Sequence, residues 1–345
     1  MTSTANTLRD SVIEYCSSIG ADPMLVQGAG GNVSWKDGDT LWIKASGTWL
    51  VDASQQNIFV PVDLAHLEDA LKSGDFYVTP KLRSESVLRP SIETLLHALM
   101  PHPVVVHLHA IEVLAHMVRP NFEVYFTSRL DKKMRWSSVG YEKPGAALAA
   151  AVSVALAQTP GANVVFLKNH GVVIGASNVS EVEKMQRKLV DALACVPRNP
   201  SYSEAISVPE APFSLSDGFQ YLPVSDNEIH QLAINDALFD RLSTDWALYP
   251  DHVVFLGAMA ACYASIDVLM RECGKALTRP ELVFIRQVGV FAHHGFSLAK
   301  QVQLRCYFDV LTRQPEGCIV DSLNNKELAE LLNWDAEKYR MHISK

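Results

Sequence analysis

The sequence lacks the cysteine pattern of a disulfide-linked secreted protein or of a thiolate metal site. Its six cysteines, at positions 16, 195, 262, 273, 306 and 318, form no CxxC pair and no dense cluster. Thiols spaced in this way are expected to stay reduced and to be mostly buried. The sequence therefore gives no reason to expect a cysteine-bound metal.

Long apolar runs and excess positive charge are also missing. The most apolar run, "AALAAAVSVALA", is too short to span a bilayer, and "MTSTANTLRDSVIEYC" has no apolar core of signal-peptide type. The net charge of −8 and the pI near 5.8 argue against a nucleic-acid or anionic-membrane surface. We expect a cytoplasmic protein that binds neither nucleic acid nor a membrane.

The sequence does have a large apolar fraction, arranged in alternating helical and extended segments. Hydrophobic residues make up 48% of the 345 residues, which is enough to fill a substantial core. Strand patterns such as "TLWIKAS", "VVVHLH" and "NVVFLKN" alternate with helical patterns such as "SIETLLHALM" and "GAALAAAVSVALA". This alternation predicts an α/β layered domain over residues 1–194.

The rest of the sequence predicts a linker and a second unit. Residues 195–224 carry five prolines among serines, which predicts a linker. Residues 282–311 align without gaps with residues 164–193, and "PDHVVFLGA" (250–258) echoes "PHPVVVHLHA". We expect residues 225–345 to be a C-terminal α/β unit, a degenerate partial copy without an active site, with strands 252–256 and 282–292 side by side. Chance resemblance between amphipathic segments is the alternative.

The strand "VVVHLH" ends in two histidines that are one residue apart. Because side chains alternate along a strand, His107 and His109 point the same way. "KNHG" places His170 at a turn between two strands, and three neutral imidazoles leave Zn²⁺ one open position, as in catalytic sites. A strand end reaching solvent, or a hydrogen-bonded histidine pair, is the alternative reading of the H-x-H motif.

Glu93 is the carboxylate that this chemistry needs. It stands near the start of the helix "SIETLLHALM", directly before the H-x-H strand, so the connection can return it to the same rim. A catalytic acid/base at this position is one interpretation. A glutamate placed by the helix dipole is the other.

A second cluster consists of "QGAGGNVSWK" (27–36) and "KASG" (44–47). Closely spaced glycines allow backbone N–H groups to converge on an anion, and Asn32, Ser34 and Ser46 add side-chain donors. The pattern predicts a phosphate cradle, with a Gly-rich β-turn as the alternative. It has neither the P-loop lysine nor the G-x-G-x-x-G spacing, so it predicts no nucleotide fingerprint.

In this order, "GAGGNVS", "KASG", "RPSIE", "HLH" and "KNHG" resemble the class II aldolase/adducin family, whose members include zinc-dependent L-fuculose- and L-rhamnulose-1-phosphate aldolases. The resemblance covers about residues 7–194 and implies a three-layer fold with a central, mostly antiparallel sheet. The C-terminal half is similar to the aldolase portion of bifunctional rhamnulose-1-phosphate aldolase/short-chain dehydrogenase proteins, through "VFIRQVGVFA" and "LLNWDAEKYR".

The resemblance also implies site residues. His107, His109 and His170 would bind Zn²⁺ or another divalent metal, and Glu93 would be the acid/base. The phosphate end of the substrate would lie against Gly31, Asn32, Ser46, Gly47 and Ser91.

The expected activity is that of a carbon–carbon lyase. A zinc-dependent aldolase of this kind cleaves a ketose or related hydroxy-carbonyl sugar, expected to be phosphorylated, through a metal-bound enediolate, and the family resemblance implies a homotetramer. An epimerase, a decarboxylase, a dehydratase or a non-catalytic adducin-like module is the alternative. Glu93 favours the lyase, because related L-ribulose-5-phosphate 4-epimerases usually carry Asp there. Ile92 replaces a serine of fuculose-phosphate aldolases, which predicts weaker phosphate selectivity.

Overall fold

The computed structural model describes residues 2–198, 212–215, 218–273, 279–332 and 334–343. Within these residues no helix combines the length and the apolar character needed to cross a bilayer. The helices are α1 (Thr2–Gly20), α2 (Leu64–Ser73), α3 (Thr94–Leu99), α4 (Ile111–Met117), α5 (Phe122–Arg129), α6 (Ala146–Gln158), α7 (Val179–Leu193), α8 (Gln231–Ile234), α9 (Asp236–Arg241), α10 (Pro250–Leu256), α11 (Ile266–Cys273), α12 (Leu298–Thr312), α13 (Asn325–Leu332) and α14 (Asp335–Ile343).

The strands form two sheets. They are β1 (Asn32–Asp37), β2 (Thr40–Lys44), β3 (Phe59–Asp63), β4 (Val104–Leu108), β5 (Trp136–Val139), β6 (Val164–Leu167), β7 (Gly171–Ala176), β8 (Phe213–Ser214), β9 (Gln220–Pro223), β10 (Cys262–Tyr263), β11 (Leu282–Ile285) and β12 (Gly289–His293). In the described residues, β1 to β7 build the first sheet and β8 to β12 the second.

The first sheet has the strand order β3-β2-β1-β4-β7-β6-β5. Its neighbouring strands are antiparallel except for β5 and β6, so the expected mostly antiparallel sheet is confirmed. Strand β4 lies in the centre and all five of its residues are buried. A strand covered on both faces needs apolar side chains on both, which explains the unbroken apolar run before His107.

Two groups of helices cover this sheet. Helices α2 and α3 pack with α6 over Leu41 and Ile43 of β2. Helices α1 and α4 contact α7, whose Val182 and Leu189 join the core around β4. The predicted three-layer α/β fold is therefore confirmed for the first part of the chain.

The second sheet has the order β10-β11-β12-β9-β8, and its central hairpin repeats the β6–β7 hairpin. Leu282 pairs with Ala292 in the second sheet, and the residues aligned with them, Val164 and Ile174, pair with each other in the first. The remaining pairs of the two hairpins correspond in the same way. Both turns are alike, because the aligned residues Asn169 and Gln287 have φ angles of 51° and 58°. The two hairpins thus share register and turn geometry.

The other strands of the second sheet extend the likeness. Strand β9 pairs with β12 as β4 pairs with β7, and β8 pairs with β9 as β1 pairs with β4, all antiparallel. Strand β10 runs parallel to β11, as β5 runs parallel to β6. Pro223 pairs with Phe291 in the second sheet. In the first sheet His107 pairs with Val173, the residue aligned with Phe291, so Pro223 occupies the place of His107. The strand order of the second sheet, β10-β11-β12-β9-β8, therefore matches the order β5-β6-β7-β4-β1 within the first sheet.

The predicted strand at 252–256 is wrong, because these residues belong to helix α10. Pro250 lies in the first helical turn, where its missing N–H costs nothing, and Pro250–Phe255 are all buried. An apolar run of this length does not by itself distinguish a buried strand from a buried helix. The strand that does occupy the place of "VVVHLH" is β9, so "PDHVVFLGA" is not its counterpart.

The segment predicted as a linker, 195–224, contains regular structure. Residues 213–214 and 220–223 form β8 and β9, the edge of the second sheet. Pro223 is the last residue of β9 and lies beyond the two residues that pair with β8. Since the N–H of Val224 donates to Val290 in β12, the nitrogen of Pro223 faces the opposite side, where no described strand needs a donor. Residues 199–211 of the predicted linker lie outside the described residues.

The left-handed backbone of Gln287 predicts a stabilising substitution. Gln287 is exposed, and its N–H donates to the carbonyl of Ala233, which glycine would preserve. Gln287→Gly should raise the free energy of unfolding by roughly 0.5–1 kcal/mol, because relief of the left-handed backbone outweighs the added freedom of the unfolded chain. Urea denaturation measures this change, and Gln287→Val should lower the same value. A glycine variant less stable than the wild type would contradict the prediction.

Candidate active site

Three buried imidazoles meet at the end of the central strand. His107 lies in β4, His109 follows it, and His170 lies in the turn before β7; each is at most 6% exposed. One nitrogen from each ring falls within 4.8 Å of the others. Because β4 and β7 are antiparallel neighbours, the end of one lies beside the start of the other. This pairing brings the H-x-H motif to "KNHG", as the sequence predicts.

The hydrogen bonds of two rings decide where their protons lie. His107 Nδ1 is 3.3 Å from the carbonyl oxygen of Val172, and His109 Nδ1 is 3.3 Å from Asp251 Oδ2. These oxygens only accept, so both Nδ1 atoms carry a proton, and in the neutral form of each ring its Nε2 atom presents a lone pair. The two Nε2 atoms are 3.0 Å apart. Two facing lone pairs fit a cation between them, and the cluster therefore suits a divalent metal ion.

The charge states fit the same chemistry. Burial lowers the pKa of His107 to about 4 and that of His170 to about 3, although the nearby Glu93 acts in the opposite direction. Both rings are therefore neutral at pH 7, which is the form that binds metals. Burial alone would raise the pKa of Glu93, but the surrounding imidazoles outweigh it and lower the pKa to about 2. Glu93 is therefore a carboxylate.

The Glu93 carboxylate is aimed at the imidazoles. Its Oε1 lies 3.5 Å from His170 Nε2 and its Oε2 lies 3.7 Å from His107 Nε2. Oε2 also accepts a hydrogen bond of 2.7 Å from the Asn32 amide, whereas Oε1 has no hydrogen-bond partner among the described residues. The Ser91 hydroxyl accepts from the Glu93 N–H at the start of α3. One carboxylate oxygen thus stays available at the cluster.

The glycine of "KNHG", Gly171, is not the left-handed residue of this turn. The left-handed residue of this turn is Asn169, and its side chain donates to the backbone oxygens of Leu248 and Asp321. A Cβ atom at Gly171 would lie 2.4 Å from the Leu108 oxygen and 2.8 Å from His107 Cε1. Gly171 is therefore needed to make room for the imidazole of His107.

A pocket of about 420 Å³ opens beside the cluster. It is lined by Glu93, His109 and His170 and by all five residues expected at the phosphate end: Gly31, Asn32, Ser46, Gly47 and Ser91. The structure thus gathers both predicted motif clusters into one cleft. Asn32 differs from the expectation in one respect, since its amide also holds the carboxylate of Glu93.

Three further residues of this pocket were missed by the sequence analysis. Lys44 is 1% exposed and donates to the Ala29 carbonyl at 3.0 Å. Its burial and the nearby Arg340 lower its pKa to about 7. Asp251 of α10 and Arg340 of α14 come from the second part of the chain. Lys44 stands inside the quoted "KASG", Asp251 inside "PDHVVFLGA" and Arg340 at the end of "LLNWDAEKYR", but the sequence analysis assigned no site residue to these positions.

A mostly antiparallel sheet with a histidine cluster and a carboxylate at the end of its central strand defines an α/β protein with a candidate metal site. Residues 10–194 match the family model described as the Class II Aldolase and Adducin N-terminal domain. The chain belongs to this family.

Other proteins are similar to part of this chain. The oxidoreductase YuxG of Bacillus subtilis (strain 168), itself described as uncharacterized, is 27% identical over 180 residues, which cover 48% of this chain and 26% of that protein. The N-terminal class II aldolase domain of a Thermoplasma acidophilum protein is 25% identical, with a TM-score of 0.45 over 53% of this chain and 91% of that one. YgbL from Klebsiella pneumoniae, a candidate aldolase/epimerase/decarboxylase, is 20% identical, with a TM-score of 0.41 over 55% and 87%.

Substitution of Gly171 by alanine tests the packing of the cluster. The added methyl group would displace the His107 ring, so Gly171→Ala should weaken zinc binding at least tenfold although all three histidines remain. Competition with a chromophoric chelator measures this affinity. Gly140→Ala is the matched control, because its Cβ would meet nothing within 4 Å.

Two histidine variants frame this measurement. His109→Ala removes a proposed ligand and should weaken binding further, whereas His116→Ala, in an equally buried ring outside the cluster, should not. If the Gly171→Ala protein binds zinc as tightly as the wild type, the His107 imidazole does not need the space that Gly171 leaves.

Proposed function

We propose that this chain is a divalent-metal-dependent aldolase that cleaves a carbon–carbon bond in a ketose or related hydroxy-carbonyl sugar. His107, His109 and His170 are the proposed metal ligands, Zn²⁺ is the proposed ion, and Glu93 is the proposed acid/base. The observation that carries the proposal is a charged carboxylate that points one available oxygen at three converging imidazoles. Family membership supports the same chemistry.

The metal would contribute positive charge. When bound, a divalent cation stabilises the negative charge that develops on substrate oxygens as the carbon–carbon bond breaks. His107 and His170 need no charge change to hold it, because burial keeps the pKa of both rings low. A Schiff-base lysine is not required.

Glu93 would move the proton. Its Oε1 takes the proton from the substrate hydroxyl as the bond breaks and returns it to the carbon left with the electron pair, so the carboxylate is regenerated. The Asn32 amide and the position at the start of α3 keep the carboxylate oriented during both transfers. Because Oε1 has no other hydrogen-bond partner among the described residues, no protein contact must break first.

The other end of the substrate would lie against the two glycine loops. Gly31 and Gly47 have φ angles of +65° and +81°, a conformation that exposes backbone N–H groups at little cost only for glycine. Ser46 and Ser91 lie in the same lining, and Ile92 contributes an apolar side chain there. We infer an anionic substrate end, with the phosphate selectivity weakened by Ile92. A homotetramer in the cytoplasm stays a prediction, and light scattering would measure the assembly.

A retro-aldol screen tests this function. Metal-loaded protein is incubated with ketose phosphates and with non-phosphorylated keto acids, and the fragments are identified by mass spectrometry. An aldehyde and a three-carbon product in equal amounts are expected. A changed stereocentre without cleavage would identify an epimerase, release of CO₂ a decarboxylase, and loss of water a dehydratase. The absence of any turnover with metal bound would favour a non-catalytic adducin-like module.

The role of Glu93 predicts a loss of turnover without a loss of metal. Glu93→Gln is nearly isosteric but its amide accepts no proton, so kcat should fall by roughly two to four orders of magnitude. Steady-state kinetics on the substrate found in the screen measures kcat, and elemental analysis confirms the metal. Glu68→Gln, at an exposed position on α2, is the control that should keep full activity. Unchanged kcat in the Glu93 variant would remove Glu93 from the mechanism.

A further inference from the structure

Two residues outside the family-matched segment reach into the candidate active site. Asp251, near the start of α10, is 3% exposed, and the side chain of Arg340, on α14, is 12% exposed. Their charged groups form a two-point pair, with Nη1 at 2.5 Å from Oδ1 and Nη2 at 2.8 Å from Oδ2. Both side chains line the pocket that holds Glu93. The second part of the chain therefore forms one wall of the site.

Asp251 connects this wall to the metal cluster. Its Oδ2 also lies 3.3 Å from His109 Nδ1 and 3.4 Å from the amide nitrogen of Gln303. Although burial alone would raise the pKa of Asp251, Arg340 and His109 hold that pKa well below its usual range. A carboxylate on Nδ1 fixes the tautomer of His109 and turns its Nε2 toward the other rings.

The glycine loop leaves room for this hydrogen bond. A Cβ atom at Gly30 would lie 3.0 Å from His109 Nδ1 and 3.1 Å from Asp251 Oδ2. The pair of side chains therefore packs directly against the backbone of "GAGG". The loop, the metal cluster and the second part of the chain meet at this point.

Helix α14 packs on the rim of the pocket. A Cβ atom at Gly47 would lie 2.7 Å from the Cβ of Ile343, so the helix touches the "KASG" turn directly. The Arg89 guanidinium lies 4.4 Å from the ring centre of Tyr339, and the Lys143 amino group lies 4.3 Å from that of Trp334. These contacts on both sides hold Arg340 beside the loops expected to bind the anionic substrate end.

Arg340 is the stronger cation of the two that line this pocket. The pKa of Lys44 falls to about 7, and its amino group donates to the Ala29 carbonyl. A guanidinium keeps its charge at any pH in the working range and carries five N–H donors, of which the pair with Asp251 uses two. An incoming phosphate next to Ser46 and Gly47 would therefore meet a guanidinium that stays charged while it pairs with Asp251.

We propose that the second part of the chain completes the active site in the same molecule, with Asp251 positioning the metal ligand His109 and Arg340 binding the phosphate end of the substrate. This inference rests on the proposed function. It also assigns a role to residues 225–345, which the sequence analysis expected to contribute structure alone.

The role of Asp251 is tested by metal affinity. Asp251→Asn keeps the shape of the side chain but replaces one acceptor oxygen by a donor, so zinc affinity should fall by roughly 10- to 100-fold in a chelator competition. Asp335→Asn, an exposed aspartate on α14, is the control. Wild-type affinity in Asp251→Asn, together with lost affinity in His109→Ala, would overturn the role of Asp251 and leave the metal centre standing. Wild-type affinity in both variants would instead overturn the proposed function.

The role of Arg340 is tested by calorimetric titration of inorganic phosphate into the zinc-loaded full chain. Arg340→Gln should weaken phosphate binding at least tenfold, and Arg340→Lys should restore part of it because the charge returns without the fork. Lys338→Gln, on the exposed face of the same helix, should bind as the wild type does. Equal affinity in wild type and Arg340→Gln, or no phosphate binding by the wild type, would overturn the role of Arg340. Circular dichroism melts confirm that each variant is folded.

Discussion

The antiparallel pairing of β4 with β7 is the constraint on which the site depends. The register sets Leu108 opposite Val172, so that His109, just beyond the end of β4, meets His170 in the turn before β7. A slip of one residue would turn every side chain of β4 to the other face and separate the imidazoles. Burial on both faces makes such a slip costly, because each residue of β4 already packs in the core. The same packing that stabilises the sheet therefore positions the proposed ligands.

Much of this site could be predicted because its residues stand in local patterns. Period-two alternation places His107 and His109 on one face, and the ordered motifs connect them with His170 and Glu93. Asp251 and Arg340 could not be assigned to the site in this way. They stand in the quoted "PDHVVFLGA" and "LLNWDAEKYR", but they reach the pocket only through the packing of α10 and α14, which no local pattern reveals. The run "PDHVVFL" forms a helix where a strand was predicted for a related reason: its polar residues Asp251 and His252 are buried with the apolar ones, so no exposed polar face marks a helical period. Tertiary packing decides such segments.

The two sheets share backbone features but differ in the side chains at the metal-site positions. The β11–β12 hairpin retains the register and the left-handed turn residue of β6–β7, because the core and the chain reversal both need them. At the position of His170 the copy carries Val288, and opposite β12 it carries Pro223 where the first sheet has His107. Neither side chain offers a lone pair to a metal. Packing is thus conserved between the two sheets while the ligand chemistry is confined to the first.

The second part of the chain is nevertheless bound to the chemistry of the first. The turn that carries His170 is anchored to it, since the Asn169 amide donates to the Leu248 and Asp321 oxygens and Lys168 pairs with the Asp321 carboxylate. On the opposite side of the cluster, His109 is held by Asp251. Two of the three imidazoles therefore owe their positions partly to residues beyond 225. The second part of the chain, which carries Val288 at the position aligned with His170, thus supports the imidazoles of the first part, and it reaches the pocket through its helices α10 and α14.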